Sequence, residues 1–274
     1  VRARGLAEHV DGELIYCAPH GPCLHGCRDL DRHLGARAVY LPHARALVLA
    51  RAARRLVRLH GPVDAELRVD TLPLQGFLEG CARGDITTLE LLFSTQLADV
   101  EDLDLRWRYL WDSRDRLLSL EMARGVLCGV RGRLASVGIT RPEDGVMGGL
   151  FDAPTNEPRI EVITEAHRVL HELVELVETG HLTLPRPEAA DTEAITTGVV
   201  AEVDALNALG GLIARTDAAL LDGGVLPPRS DHRWIDDTVA VFHAHAVRRG
   251  GSESCRPAVK TRIGVGGVDP ITSP

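Results

Sequence analysis

The chain has 274 residues, which is long enough for one large domain or two modest ones. Hydrophobic residues make up 45% of it and provide ample apolar side chains for a core. A formal net charge of -8 argues against broad, sequence-independent nucleic-acid binding as the main activity, although it is compatible with a local basic groove. The sequence contains no apolar run of transmembrane length and no signal-peptide hydrophobic region after its first residues, so we expect a cytoplasmic protein without membrane partners.

The first third of the chain predicts strands that alternate with loops and helices. A short apolar run predicts a strand over residues 13–17, and residues 36–41 predict a second one after a loop rich in glycine, proline, cysteine and histidine. Alternation of apolar and polar residues predicts a third strand over residues 65–71. Between them, apolar residues at helical spacing predict a helix over residues 44–59. We therefore expect a small sheet with helices behind it.

The rest of the chain predicts helices only. Asp85 is a predicted N-cap of a helix that runs to Phe93. The most regular helical pattern covers residues 159–179, where one apolar stripe stops at Gly180. We predict an α/β domain at residues 1–99, an all-helical domain at residues 100–247 and a disordered polar tail at residues 248–274.

Three blocks of sequence carry a family resemblance. The first reads Gly-Pro-Cys-Leu-His-Gly at residues 21–26 and Ala-Val-Tyr-Leu-Pro at residues 38–42. The second reads Phe-Leu-Glu-Gly-Cys-Ala-Arg-Gly-Asp-Ile-Thr-Thr-Leu-Glu-Leu-Leu-Phe at residues 77–93. The third reads Ala-His-Arg at residues 166–168 and Glu-Thr-Gly-His-Leu-Thr-Leu-Pro-Arg-Pro at residues 178–187. In order and spacing, these blocks resemble the predicted nucleotidyltransferases of the DNA polymerase β superfamily that are associated with RNA repair.

The resemblance implies both a fold and an activity. The fold would be of the α/β (α+β) class, with a small mixed-sheet nucleotidyltransferase domain followed by an all-helical C-terminal domain that closes a cleft. The activity would be transfer of a nucleoside monophosphate from a nucleoside triphosphate to an acceptor hydroxyl, assisted by Mg²⁺. An RNA or a small molecule would be the acceptor. Neither the acceptor nor the oligomeric state follows from the resemblance.

The catalytic positions depart from the family pattern, which reads Gly-Ser-x-x-Tyr-Gly, then an Asp-x-Asp pair, then Gly-Val-(Tyr/Phe)-Val-Pro. Without gaps, the Asp-x-Asp pair falls on His33 and Gly35. The serine position falls on Pro22, which has neither a hydroxyl nor a backbone N–H. Glycine offers no ligand, and Mg²⁺ prefers oxygen to imidazole nitrogen.

A second alignment restores the acids. If the loop is shortened by a few residues, Asp29 and Asp31 supply an Asp-x-Asp pair, and Glu66 or Asp70 supplies the third acid. The candidate magnesium ligands are then Asp29, Asp31, Glu66 and Asp70, and the candidate catalytic residues are Asp29, Asp31 and Asp70.

The remaining candidate residues would contact the nucleotide rather than the metal. Gly21 and Gly26 would shape the turn around the phosphates, and His25 and His33 are candidate nucleotide contacts in the same loop. The competing hypothesis is an inactive family member that keeps the cleft to bind a nucleotide, an RNA end or a protein partner.

The cysteines of the same loop suggest another chemistry. Cys17, Cys23 and Cys27, with histidines nearby, are the donor types that zinc prefers. Their spacing does not match a zinc knuckle, and the chain has no second Cys-x2-Cys pair, so they also fit incidental loop thiols.

Two kinds of residue in the helical half have both a structural and a functional interpretation. His167 lies in an amphipathic segment, where it fits either a satisfied histidine between the two halves or a substrate contact. Trp107, Trp111 and Trp234 fit core packing better than base stacking.

Overall fold

The computed structural model describes residue 6 and residues 9–26, 35–60, 66–98, 103–139 and 158–249. Its first part contains a four-stranded sheet in the order β1-β2-β4-β3, formed by β1 (Gly12–His20), β2 (Gly35–Pro42), β3 (Arg55–His60) and β4 (Glu66–Pro73). β2 runs antiparallel to β1 and parallel to β4, and β3 runs antiparallel to β4. The predicted mixed-sheet α/β fold is therefore confirmed.

Helices connect the strands and make up the rest of the described chain. Two short ones lie between strands, α1 (Pro22–His25) and α2 (Ala44–Val48). The others are α3 (Leu74–Arg83), α4 (Ile86–Phe93), α5 (Leu105–Asp112), α6 (Leu120–Ser136), α7 (Arg159–Thr179), α8 (Ala189–Thr196), α9 (Glu202–Asp222) and α10 (His232–Arg249). In the described part of the chain after Pro73, all regular structure is helical, as the sequence predicts.

The two faces of the sheet pack into different hydrophobic clusters. Tyr16, Val39 and Leu72 belong to the main cluster, which continues into the helical half of the protein. Cys17 and Val69 belong to a smaller second cluster on the opposite face. This division follows from the alternation of side chains along a strand. β2 lies inside the sheet and is buried on both faces, which explains its almost continuous apolar sequence.

The predicted helix over residues 44–59 is wrong. Helix α2 ends at Val48, which is 83% exposed, and the chain then turns through Ala50, whose φ is 49°. β3 takes the second half of the segment and pairs with β4, so that Val57 lies opposite Val69 in the second cluster. The sheet provides backbone partners and a buried position for Val57, and this tertiary gain outweighs local helix propensity.

Aromatic packing joins the sheet to the helical half. The indole of Trp107 on α5 stacks on the ring of Tyr16 on β1, with centroids 4.1 Å apart and planes 7° apart. Its Nε1 donates to Thr95 Oγ1 at 2.8 Å, which satisfies the one polar group of this fully buried side chain. Trp234 is also buried and stacks on Tyr109. The structure thus places both tryptophans in packing roles.

Helix α7 is the central element of the helical half. Its bounds match the predicted segment, and Gly180 ends it in the left-handed conformation with φ 70°. The predicted domain boundary at residue 99 lies outside the described residues, so the domain division stays a prediction. Helix α10 includes the first two residues of the predicted tail, and residues 250–274 lie outside the described residues. Among the described helices, none is long and apolar enough to cross a membrane.

Candidate functional site

The candidate site lies where one end of the sheet meets α4 and α7. On the face of the sheet that carries the main cluster, His20 lies at the end of β1, Arg37 on β2 and Asp70 on β4. The Nδ1 atom of His20 lies 3.9 Å from Glu90 of α4, and Arg168 of α7 donates to the same glutamate. This junction is also where the family resemblance predicts the nucleotide cleft.

Asp70 is the predicted acid whose surroundings are best defined. Its Oδ2 accepts from Arg37 Nε at 3.1 Å and from Arg54 Nη2 at 2.5 Å, and its Oδ1 accepts from Arg54 Nε at 2.9 Å. Arg37 and Asp70 are opposite each other in the β2–β4 pair, so the strand register itself positions this contact. Both carboxylate oxygens therefore face guanidinium groups, and a magnesium ion would have to displace them.

The other predicted metal ligands remain predictions. Asp29, Asp31 and His33 lie outside the described residues. Glu66 begins β4 and its backbone is paired with His60, but its side chain is not among those described. A magnesium site formed by these acids together with Asp70 therefore stays a prediction.

Both glycines of the predicted phosphate turn have left-handed backbone conformations. Gly21 follows β1 with φ +84°, and Gly26 follows α1 with φ +88°. A Cβ on Gly26 would lie 3.0 Å from Cβ of Pro185, whereas one on Gly21 would meet nothing within 4 Å. A left-handed backbone favours glycine at both positions of the turn, and no described atom would meet a Cβ on Gly21. Their role as nucleotide contacts stays a prediction.

A buried cluster of ionisable side chains lies next to this turn. It contains His25 of α1, Glu90 of α4 and Glu172 of α7, which are 6%, 1% and 0% exposed. The Nε2 of His25 lies 3.6 Å from Glu90 Oε1, and its Nδ1 lies 3.9 Å from Glu172 Oε1. We refer to these three residues as the His–Glu–Glu cluster. It places His25 against two glutamates of the helical half.

Arg168 connects this cluster to a third glutamate. Its Nη1 donates to Oε1 of both Glu90 and Glu172, at 2.7 Å in the second case. Its Nε and Nη2 donate to the two oxygens of Glu165 at 3.1 and 2.6 Å. One buried guanidinium therefore serves three carboxylates, and this group of side chains has an excess of negative charge when all three are ionised.

Burial dominates the protonation of the cluster. It lowers the pKa of His25 to about 3 and that of His20 to about 4, with nearby arginine charges adding to the effect, so both imidazoles are neutral at neutral pH. It also raises the pKa of Glu172 to about 8 and raises that of Glu90, although Arg168 opposes both changes. Burial would lower the pKa of Arg168, but the three glutamates raise it, so this guanidinium stays charged.

Several polar atoms of the site have no hydrogen-bond partner. In the described part of the chain, these include His25 Nδ1, Glu90 Oε2, Glu172 Oε2 and Arg37 Nη1, all of which are buried. Unpaired buried polar atoms are rare because leaving water without a new partner costs free energy. Four of the nine such atoms in the described part of the chain lie at this junction, which makes it a candidate functional site.

His167 lies one residue before Arg168 and is buried beside His171, with ring centroids 4.6 Å apart. Burial lowers its pKa, and its Nδ1 has no partner among the described atoms. This placement in the helical half leaves both sequence interpretations of His167 open.

Of the three cysteines proposed as zinc ligands, only Cys17 has a described side chain. Cys17 is buried in the second cluster, on the face of the sheet opposite to Tyr16, and burial raises the pKa of its thiol to about 12. The side chains of Cys23 and Cys27 are not among those described. A zinc site on these three cysteines stays a prediction.

Sequence reasoning missed Glu90, Glu172 and Glu165 as site residues. A signal for Glu90 existed, because a glutamate between Leu89 and Leu91 in an otherwise apolar helix has to be buried. A signal for Glu172 was its position four residues after Arg168, where two side chains meet on a helix. Their approach to His25 depends on tertiary packing and has no local signature.

No family model and no curated protein matches the chain. Among solved structures, a nucleotidyltransferase-like protein from Exiguobacterium sibiricum is a distant match, with 8% sequence identity and a TM-score of 0.33. The match covers 80% of this chain and 73% of that chain. Similarity at this level does not identify an activity, which has to be inferred from the site.

Proposed function

We propose that this chain is a nucleotidyltransferase-like protein that binds the phosphate groups of a nucleotide in its cleft without transferring the nucleotidyl group. The observation that carries this proposal is the occupation of both Asp70 oxygens by Arg37 and Arg54.

The described residues supply few of the carboxylates that nucleotidyl transfer needs. Nucleotidyl transfer by this type of site requires carboxylates that hold magnesium ions beside the α-phosphorus. The ungapped alignment leaves His33 and Gly35 at the positions of the acidic pair. Both oxygens of Asp70, the candidate third acid, accept from guanidinium groups, so neither oxygen is left for a magnesium ion. A site with Asp70 paired in this way favours binding of a nucleotide over transfer of its nucleotidyl group.

Arg37 and Arg54 also bear on the ligand. Arg37 is buried, and its Nη1 has no hydrogen-bond partner in the described structure, so an oxygen of a ligand that reached this atom would give it one. The side chain of Arg54 is 55% exposed and lies on the same carboxylate. Guanidinium groups bind phosphate through paired N–H donors, and two of them at one point would hold a phosphate group well.

The test measures ATP binding by calorimetry, with magnesium and with excess chelator, and incorporation of label from α-labelled nucleotides. We expect binding that survives chelation, and no incorporation. Arg54→Ala should weaken binding about tenfold or more, which corresponds to the loss of one charge-assisted hydrogen bond. Arg51→Ala removes an exposed arginine three residues away and is the matched control.

Asp70→Asn separates the two hypotheses by the sign of its effect. It releases Arg37 and Arg54 from a negative partner, so a phosphate-binding cleft should bind ATP more tightly. A magnesium-dependent transferase should instead lose activity in this variant. Incorporation of label by the wild-type protein that Asp70→Asn abolishes would overturn the proposal.

A further inference from the structure

The His–Glu–Glu cluster has the composition of a metal site. We infer that His25, Glu90 and Glu172 bind one divalent transition-metal ion of the zinc type, in the buried junction between α1, α4 and α7. One potential ligand atom from each residue lies within 4.8 Å of those from the other two. Zinc binds imidazole nitrogen and carboxylate oxygen at about 2.0–2.2 Å, so the three donors would have to close by about 1 Å.

The unpaired atoms of the cluster are the independent observation for this site. His25 Nδ1, Glu90 Oε2 and Glu172 Oε2 are buried without hydrogen-bond partners in the described ranges, and each residue contributes one such atom. All three residues are more than nine-tenths buried. Because such atoms are rare in protein interiors, their presence on all three residues of the cluster supports a ligand that the protein atoms alone do not supply.

Charge balance favours a divalent cation. Glu90, Glu165 and Glu172 share the single positive charge of Arg168, so the fully ionised set has a net charge of −2. A neutral imidazole with two carboxylates is a donor set for a metal of the zinc type, whereas magnesium and calcium prefer oxygen alone. A divalent ion would neutralise this excess without placing a proton on either buried glutamate.

The surrounding structure orients the donors. Arg168 Nη1 holds one oxygen of Glu90 and one of Glu172, and leaves the second oxygen of each carboxylate available. The backbone of His25 is fixed through its carbonyl oxygen, which accepts from Arg186 N at 3.1 Å. Carboxylates that bind metals are held by hydrogen bonds of the kind that Arg168 makes here.

The ligands inferred here are different residues from the predicted magnesium ligands. Its three ligands come from α1, α4 and α7, whereas the predicted magnesium ligands lie in residues 29–31 and on β4. With three protein ligands, the ion would keep a further coordination position for water or a ligand. The inference is independent of the proposed nucleotide binding, because the following measurements contain no nucleotide.

The experiment uses the full chain, stripped with a strong chelator and then dialysed against a small excess of Zn²⁺. We expect elemental mass spectrometry to find one zinc ion per chain. The zinc-loaded protein should also have a higher Tm than the stripped protein. Loading with Co²⁺ provides a second readout, since a site of nitrogen and oxygen ligands shows no thiolate-to-cobalt charge-transfer absorption.

The variants Glu172→Gln and His25→Gln should each remove a ligand. Loss of a residue that hydrogen-bonds to a metal ligand typically lowers metal affinity roughly 10- to 100-fold. Loss of a ligand itself should lower the affinity for Zn²⁺ by more than this. Glutamine at position 172 keeps an oxygen for Arg168 and removes a buried charge, so this variant should fold. Glu165→Gln is the matched control, since Glu165 bonds the same arginine from outside the cluster and should retain the stoichiometry.

Three results would overturn the inference. The first is a stripped protein that takes up no zinc and shows no change in Tm. The second is unchanged affinity in both Glu172→Gln and His25→Gln. The third is a cobalt-loaded protein with strong thiolate absorption, which would assign the ion to cysteines of the chain instead.

Discussion

Arg37 and Asp70 lie opposite each other in the parallel pair of β2 and β4, and the guanidinium of Arg37 donates to the carboxylate of Asp70 at 3.1 Å. The contact uses the face of the sheet that meets α4 and α7. A basic residue is thus the direct partner of Asp70, the candidate third acid of the predicted magnesium site.

The first prediction concerns the stability of this pair. Arg37→Ala should lower the free energy of unfolding by about 1–3 kcal/mol, because it removes a buried hydrogen bond and the packing of the arginine stem. Urea denaturation followed by circular dichroism measures the change. Arg51→Ala, an exposed arginine, should stay within about 0.5 kcal/mol of the wild type. Equal effects of the two substitutions would mean that the pair contributes nothing.

A second prediction concerns the junction between the sheet and the helices. Trp107→Phe should destabilise the protein by about 1–3 kcal/mol, since it removes the hydrogen bond to Thr95 and part of the stacked surface on Tyr16. Trp111→Phe, at a half-buried position on the same helix, should cost less. The comparison uses thermal and urea unfolding of both variants, and a larger loss in Trp111→Phe would contradict it.

A third prediction is that replacing glycine with alanine has opposite effects on stability at Gly84 and Gly129. Gly84 ends α3 with φ +81°, and a Cβ there would lie 2.6 Å from Val126 Cγ2, so Gly84→Ala should be destabilising by about 1–3 kcal/mol. Gly129 lies inside α6 with nothing within 4 Å of an added Cβ. Gly129→Ala should therefore stabilise the protein by about 0.4–1 kcal/mol. Differential scanning calorimetry should show Tm changes of opposite sign.

A fourth prediction concerns thiol reactivity. Burial raises the pKa of both Cys17 and Cys81 to about 12, whereas Cys128 is exposed on α6. Because the thiolate is the reactive form, a maleimide at neutral pH should label Cys128 in the native protein and the other two only after denaturation. Peptide mass spectrometry locates the label. Rapid native labelling of Cys81 would show that the main cluster opens readily around this residue.

The limits of sequence reasoning are visible in particular segments. Helix α7 was predictable at both ends, because its apolar stripe is regular and Gly180 stops it in a conformation that glycine favours. The segment at residues 44–59 was not, because Leu56 and Leu59 fit a helical spacing while Val57 and Leu59 also fit the alternation of an edge strand. The partner strand, β4, comes later in the chain, and no local pattern announces the pairing.

The candidate site shows the same division. The resemblance in residues 21–26 and 77–93 indicated the turn at Gly21 and the segment that contains Glu90. The register of the sheet explains why Asp70 pairs with Arg37. The approach of His25 to Glu172 was not predictable, since these residues are far apart in sequence and come together only when α1 packs against α7. A salt bridge such as Arg54 to Asp70 likewise depends on the path between α2 and β3.

The stacked pair of Tyr16 and Trp107 has a consequence for how the molecule comes apart. The phenol ring belongs to the first strand and the indole to a helix beyond residue 100, and both are part of one continuous apolar interior. Separating the halves would expose both rings to water at once, so neither half should melt alone. A fragment that stops at residue 98 would lack the indole that covers its first strand, and we expect it to aggregate rather than fold.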